Sequence, residues 1–367
     1  MGEIVTVGGR QVTADLVRDA DILLVRSITK VGAELLEGSS VKFVATATIG
    51  FEHVDRDYLD RRQIGFASAP GSNANSVAEY ITAALLVLAH KKQWTLEGRS
   101  IGIIGVGNVG SRVEKKCRAL GMQVVLNDPP LQRKTGDACY RPLEEVFGCD
   151  FVTLHTPLNK LGPDATYHLA DKAFFDRLKD GAVFLNTSRG KVHDEAALRP
   201  AMEAGRLGAV VLDVWETEPV VDPWLLKHVD ISTPHIAGYS YDGKIAGLLM
   251  IYEAACRHFG LEASHTIHDF LPEPLVAEIK LSADDLKRTD EQILHDVVQR
   301  IYVLNRDDFN TREILLQPEG ERGAFFDNLR KTYPVRREFQ NTIVEVPQGR
   351  STLADKIAGI GFQVRTL

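Results

Sequence analysis

The chain has 367 residues, 44% hydrophobic and 25% charged, which suits two or three folded domains with sizeable cores. A formal net charge of -7 gives no electrostatic basis for a nucleic-acid partner, and the longest apolar run, Ile81 to Ala89, is too short to cross a bilayer. The amino end shows no signal-peptide pattern and the four cysteines show no paired spacing, so a chain of the cytoplasm with reduced thiols, no membrane contact and no disulfide frame is expected.

Short apolar strands alternate with helical stretches through roughly the first 240 residues, the βαβ rhythm of a parallel sheet covered by helices. Residues 22–25 and 41–45 read as strands, with a helical segment over 31–36 between them. A loop at 71–75 leads into an Ala- and Leu-rich helix from Ser76 to about His90, with Glu79 in its first turns. Its position suggests a link between a first domain and a nucleotide domain. Residues 100–104 form a strand feeding a glycine loop, 109–120 a helix, and 123–127, 151–154, 182–186, 209–212 and 229–232 further strands. Each ends near a polar or catalytic candidate, as expected along the carboxyl rim of an open α/β sheet. A second long helix follows Ser240, with Ile245, Leu248, Leu249, Tyr252, Ala255, Cys256 and Phe259 on one face. Beyond a linker at 269–274, a small α+β unit is expected, with helices over 284–304, 323–331 and 351–360 and strands at 342–346 and 362–365.

The glycine loop is Gly105-Val106-Gly107-Asn108-Val109-Gly110. Alone this pattern is weak, but here an apolar strand precedes it, a helix follows, and Asp128 ends the next strand, 21 residues past Gly107. Gly105 permits the tight turn, Gly107 lets the backbone approach a pyrophosphate, and Gly110 lets helix and sheet pack closely. The free N–H groups of the helix start favour phosphates. An acid at 128 accepts hydrogen bonds from ribose hydroxyls and repels a 2'-phosphate, which favours NAD over NADP, with Arg133 near enough in sequence to complicate the choice. The bland alternative is a glycine-rich turn in another α/β protein.

Arg189, Glu218 and His235 each follow a strand of this sheet. Singly, an Arg after a strand is more often a surface charge, a Glu before Pro a loop residue, and a His structural. Together they can converge on one sheet edge and supply the apparatus for hydride exchange at a 2-hydroxy acid. His235 would move the hydroxyl proton, Glu218 would hold the far ring nitrogen and favour imidazolium, and Arg189 would clamp a carboxylate in two-point register. The loops at 26–29 and 45–50 offer hydroxyls, amides and one Arg for substrate anions, against ordinary turn chemistry. His265 and His268 lack a third ligand, so no metal is expected. Arg336-Arg337 suits either a phosphate or interface contact, or a solvated face.

These motifs, with residues 24–30, Thr46-Ala47-Thr48-Ile49-Gly50, His53-Val54-Asp55, Ser68-Ala69-Pro70-Gly71, His155-Thr156-Pro157-Leu158 and residues 234–240, resemble the D-isomer-specific 2-hydroxyacid dehydrogenases over nearly the whole chain. Residues 329–338 resemble a subgroup carrying an extra carboxyl-terminal domain. The resemblance implies an α/β protein with two Rossmann-like parallel-sheet domains and a small α+β domain. A flavodoxin-like substrate-binding domain would span 1–75 and 240–268, an NAD-binding domain 76–239, and a dimerisation domain 269–367. It implies an NAD-dependent dehydrogenase of a small phosphorylated 2-hydroxy acid, acting as a homodimer. Arg189, Glu218 and His235 would be the active residues, and Ser27, Thr48 and Tyr239 would touch substrate. Gly105, Gly107 and Gly110, with Asp128, Thr156, Thr187, Asp213, Gly238 and the backbone around Ser188, would touch NAD.

One departure from the family stands out. Its members usually open with a βα unit ahead of the segment that here begins at Gly2, so the first domain is expected to have an exposed sheet edge. Two competing readings are another NAD-dependent D-2-hydroxyacid dehydrogenase, acting on phosphoglycerate or glycerate, and a corepressor-like module that senses NAD.

Overall fold

The computed structural model describes residues 3–26, 28–282 and 284–366. The chain divides into two compact units, Met1–Asn73 with Tyr241–Pro272, and Ala74–Ser240 with Glu273–Leu367.

In the first unit β1 (Ile22–Val25), β2 (Phe43–Thr46) and β3 (Gly65–Ala67) form a parallel sheet in that order. Alternate side chains serve its two faces, as the strand period of two requires. Leu23, Val25 and Val44 pack with Leu36, Tyr58 and Leu59 on one side, while Phe43, Ala45 and Ala67 meet Ile251 of the Tyr241–Phe259 helix on the other. Strand β1 lies at an edge with Ile22 and Leu24 exposed, and the described residues ahead of it form no strand.

The second unit holds six parallel strands: β4 (Ser100–Ile104), β5 (Gln123–Asn127), β6 (Phe151–Leu154), β7 (Ala182–Asn186), β8 (Leu207–Leu212) and β9 (Ile231–Ser232). Their order is β5-β4-β6-β7-β8-β9, so the chain reverses direction across the sheet at β4 and β6, where ligands of such sheets gather. The central strands are apolar throughout because helices cover both faces. Val183, Leu185 and Val211 share one core with the Ala74–Lys92 helix, whereas Phe184, Val210 and Leu212 share the other with Phe174, Leu198 and Leu225.

The carboxyl-terminal part adds a second parallel sheet, β10 (Glu278–Lys280), β11 (Ile343–Val346) and β12 (Gln363–Thr366). The helix expected over 284–304 is Asp290–Ile301, started by a Thr289–Gln292 capping box, and a separate helix follows at Leu304–Arg312. Ile293, Val297, Tyr302, Phe339, Val344 and Ile357 join the core built on the Ala74–Lys92 helix, which makes this segment part of the second unit's interior.

A polar cluster is sealed into that interior. Glu79, expected near a helix start as a dipole partner, is fully buried: Oε2 accepts from Arg336 at 3.0 Å, and Oε1 accepts from the Phe339 N–H at 2.8 Å. Burial and the nearby Glu338 push its carboxyl up, while Lys116 and Arg336 pull it back. Arg336 is no solvated face. It also donates to Ser76 at 2.5 Å and stacks over the Tyr302 ring at 4.1 Å. Arg337 donates to Asn341 at 2.6 Å. Removing one partner of a buried pair strands the other charge, so Arg336→Met is expected to lower stability by about 3 to 5 kcal/mol in urea unfolding. Adding Glu79→Gln should recover part of that loss; a single-variant loss near zero would contradict the pair's role.

Candidate active site

Strand β4 delivers the glycine loop. Gly105 adopts φ 88°, and a Cβ on Gly110 would lie 2.0 Å from the Gly105 carbonyl oxygen, so no larger residue fits there. Space is open above Gly107. The Val106 N–H donates to Asp128 at 2.8 Å, and the Leu131 N–H donates to its other oxygen at 2.9 Å. One carboxylate therefore ties the loop to the end of β5 and caps the next helix. The Thr156 hydroxyl is buried beside Gly105 without a hydrogen-bond partner among the described residues. An open backbone, a free helix start on Gly110–Ala119, an unsatisfied hydroxyl and a fixed acid fit a dinucleotide. Arg133, which complicated the choice between NAD and NADP, is paired with Asp164 at 2.5 Å.

Strands β7, β8 and β9 end together: Asn186 lies opposite Leu212, and Leu212 opposite Ser232. Arg189, Glu218 and His235 leave from these three neighbouring ends. The first two loops touch directly, since a Cβ on Gly190 would lie 1.8 Å from the Trp215 carbonyl oxygen. His235 Nδ1 donates to Glu218 Oε2 at 2.7 Å, and the other Glu218 oxygen accepts the Trp215 N–H at 2.9 Å. Burial raises the Glu218 carboxyl, but the facing imidazole and the N–H donor outweigh it and hold the group below its ordinary value. With Nδ1 engaged, Nε2 is the nitrogen available to exchange a proton. Arg189 donates one guanidinium N–H to the Ser188 carbonyl at 2.8 Å, leaving further donors.

His235 has φ 56°, the left-handed region that non-glycine residues seldom occupy. Asp213 holds it there. The Asp213 carbonyl accepts the His235 N–H at 2.7 Å, and its buried carboxylate accepts the Ile236 and Ala237 N–H groups at 2.7 and 3.0 Å. The Thr233 hydroxyl adds a third donor at 2.7 Å, itself paired with Tyr80. Burial pushes the Asp213 carboxyl up, opposed by these donors and His235. The carboxylate expected to touch NAD is thus bound to the histidine loop.

Among the other candidates, Thr187 and Ser188 are buried beside Arg189, and the Ser188 hydroxyl donates to Asn186 at 2.9 Å. Gly238 and Tyr239 follow directly after the loop bound by Asp213. Thr48 lies in the first unit, its hydroxyl donating to the Gly50 carbonyl at 2.8 Å. Ser27 lies outside the described residues.

Sequence reasoning missed several supports. The Asn186 amide donates to the Arg189 carbonyl at 3.0 Å and to His193 Nδ1 at 2.8 Å, while its oxygen accepts the Ser188 N–H. Glu195 and Glu216 each accept the other's backbone N–H, at 2.9 and 3.2 Å, and His168 donates to Glu216 at 2.8 Å. Only the position of Asn186 at a strand end hinted at its part. Burial pushes Glu195 up to about 7, helped by Glu216, Asp222 and Glu218 and opposed by the Glu216 N–H. In the unfolded chain the group titrates near 4.5, so its protonated form favours the fold below that pH, and the benefit fades as pH climbs toward 7. Across that window Glu195→Gln should flatten the pH dependence of the unfolding free energy, measured by urea titration, by up to about 3 kcal/mol. An unchanged profile would contradict this.

Residues 83–237 match the family model described as D-isomer specific 2-hydroxyacid dehydrogenase, NAD binding domain. Residues 270–361 match one described as Domain of unknown function (DUF3410). The chain is 46% identical over 349 residues to the erythronate-4-phosphate dehydrogenase of Salinibacter ruber, covering 94% of this chain and 89% of that protein. It is 43% identical over 363 residues to that of Proteus mirabilis, covering 99% and 94%. Among solved structures, a D-lactate dehydrogenase from Aquifex aeolicus complexed with NAD and lactic acid aligns with TM-score 0.54 and 27% identity, covering 68% of this chain and 86% of that one. NAD thus has both its cradle and its family here. The chain belongs to the erythronate-4-phosphate dehydrogenases, NAD-dependent oxidoreductases within the D-isomer-specific 2-hydroxyacid dehydrogenase family.

Proposed function

We propose that the chain oxidises 4-phospho-D-erythronate to (R)-3-hydroxy-2-oxo-4-phosphobutanoate, in the cytoplasm, as a step of pyridoxal 5'-phosphate biosynthesis. The observation that carries the reading is the 2.7 Å bond between His235 and Glu218, on strand ends adjacent to the one that bears Arg189. The names of the relatives support the substrate. We also propose that residues 269–367 join two copies of the chain.

NAD, when bound, supplies the nicotinamide carbon that takes the hydride from C2 of the substrate. The protein's own groups do the rest. His235 Nε2 accepts the C2 hydroxyl proton. Glu218, held below its ordinary pKa, stays ionised and favours the imidazolium that results. Arg189 binds the substrate carboxylate through two parallel N–H donors and so aligns C2. Asp128, Thr156, Thr187, Gly238 and the Ser188 backbone serve as cofactor contacts. Asp213, which grips the 233–237 loop, keeps His235 in place.

Turnover of four acids with NAD tests this reading. The phosphorylated C4 acid is expected to exceed D-erythronate, 3-phospho-D-glycerate and D-glycerate by about 100-fold or more in kcat/KM. Preference for a C3 or unphosphorylated acid would sink the substrate assignment. His235→Asn is expected to lower kcat by about 100-fold or more while NAD affinity changes little; surviving turnover would remove the histidine from its role.

A further inference from the structure

The carboxyl-terminal part of the second unit brings a cation to the catalytic loops. In the Arg322–Lys331 helix, Gly323, Phe326 and Arg330 are three and seven residues apart, which places them on one face. That face packs against the loop bearing Glu218. A Cβ on Gly323 would sit 3.4 Å from both Pro219 and Val220, and Phe326 is buried with Trp215 and Val221. The guanidinium of Arg330 consequently lies 5.8 Å from the Tyr239 ring centroid.

Its donors are underused. Among the described residues, Nε is buried without a hydrogen-bond partner, and the carboxylate paired with the group is that of Asp327, at 3.8 Å. A distance of 3.8 Å is too long for a hydrogen bond. The charge nonetheless reaches the catalytic acid, since Arg330 is among the groups that pull the Glu218 carboxyl down. A guanidinium near Tyr239, felt by Glu218 and held by no close carboxylate among the described residues, suits an anion with several oxygens. The proposed substrate has two anionic ends, and Arg189 answers only one of them. A phosphate bearing about -1.5 to -2 charges at neutral pH would be repelled by Glu218 unless a second cation stood beside it.

We propose that Arg330 binds the distal phosphate of the substrate and sets the preference for a phosphorylated acid. This rests on the reading of the chain as a 4-phosphoerythronate dehydrogenase. It assigns specificity to a helix of the carboxyl-terminal segment, outside the matched NAD-binding region.

The test compares wild type, Arg330→Gln and Arg330→Lys on 4-phospho-D-erythronate and D-erythronate, with inorganic phosphate as a competing probe. Wild type should strongly prefer the phosphorylated acid and be inhibited competitively by phosphate. Arg330→Gln should raise KM for the phosphorylated acid by about 10- to 100-fold and reduce the preference by a like factor. Phosphate inhibition should weaken in parallel, and Arg330→Lys should restore part of each. Melting curves with NAD show whether both variants are folded, and Arg330→Lys keeps the test alive if the Gln form is not. A wild type that prefers the phosphorylated acid while Arg330→Gln keeps that preference would overturn this assignment and leave the substrate reading intact. An equal slowing of both substrates with a displaced pH profile would overturn it too, because Arg330 would then act through Glu218. A wild type with no preference would overturn the substrate reading and this assignment together.

Discussion

Three parallel strands that stop in register are the constraint on which the site depends. Asn186, Leu212 and Ser232 stand side by side across β7, β8 and β9. Neighbouring strands lie about 4.8 Å apart, so loops leaving those ends emerge within reach of one another. A slip of one residue on any strand would exchange the side chains that enter its two cores and carry its loop with it. The contact of Gly190 with the Trp215 carbonyl tightens the arrangement further, since it leaves no room for a side chain between the loops of Arg189 and Glu218.

Buried acids then fix what the register brings together. Asp213 is satisfied by two backbone N–H groups and a hydroxyl, all from the loop it restrains, and that loop keeps His235 at a backbone angle it would not choose alone. Glu79 is satisfied by a cation and a backbone N–H from the carboxyl-terminal segment. Both meet the cost of burying a carboxyl group with several donors, one locally and one across more than 250 residues of chain. The second bond helps to hold the carboxyl-terminal segment within the nucleotide unit, and the segment's own helix in turn meets the Glu218 loop at Pro219 and Val220.

Much of the nucleotide unit was legible because periodicity and glycine chemistry are local. The strands expected at 100–104, 123–127, 151–154 and 182–186 are those found, and Asp128 lies against the glycine loop as its spacing suggested. The pairing of Glu218 with His235 was also anticipated from chemistry. Short strands such as Gly65–Ala67 and Glu278–Lys280 carry too few residues to show a period of two. The Leu304–Arg312 helix is mostly polar and lacked an apolar stripe to announce it. Arg336 read equally well as a surface charge because its partner, Glu79, lies on a distant helix. Asn186 and Arg330 gain their meaning only from packing, which no local pattern encodes.

The most direct test of the central claim is a structure of the chain with NAD and 4-phospho-D-erythronate or its 2-oxo product bound. The account expects His235 Nε2 within about 2.6 to 3.2 Å of the C2 oxygen, with Arg189 forked on the carboxylate and the His235–Glu218 bond intact. A bound acid whose reacting oxygen lies out of reach of His235, or whose carboxylate is held by another cation while Arg189 faces away, would contradict it.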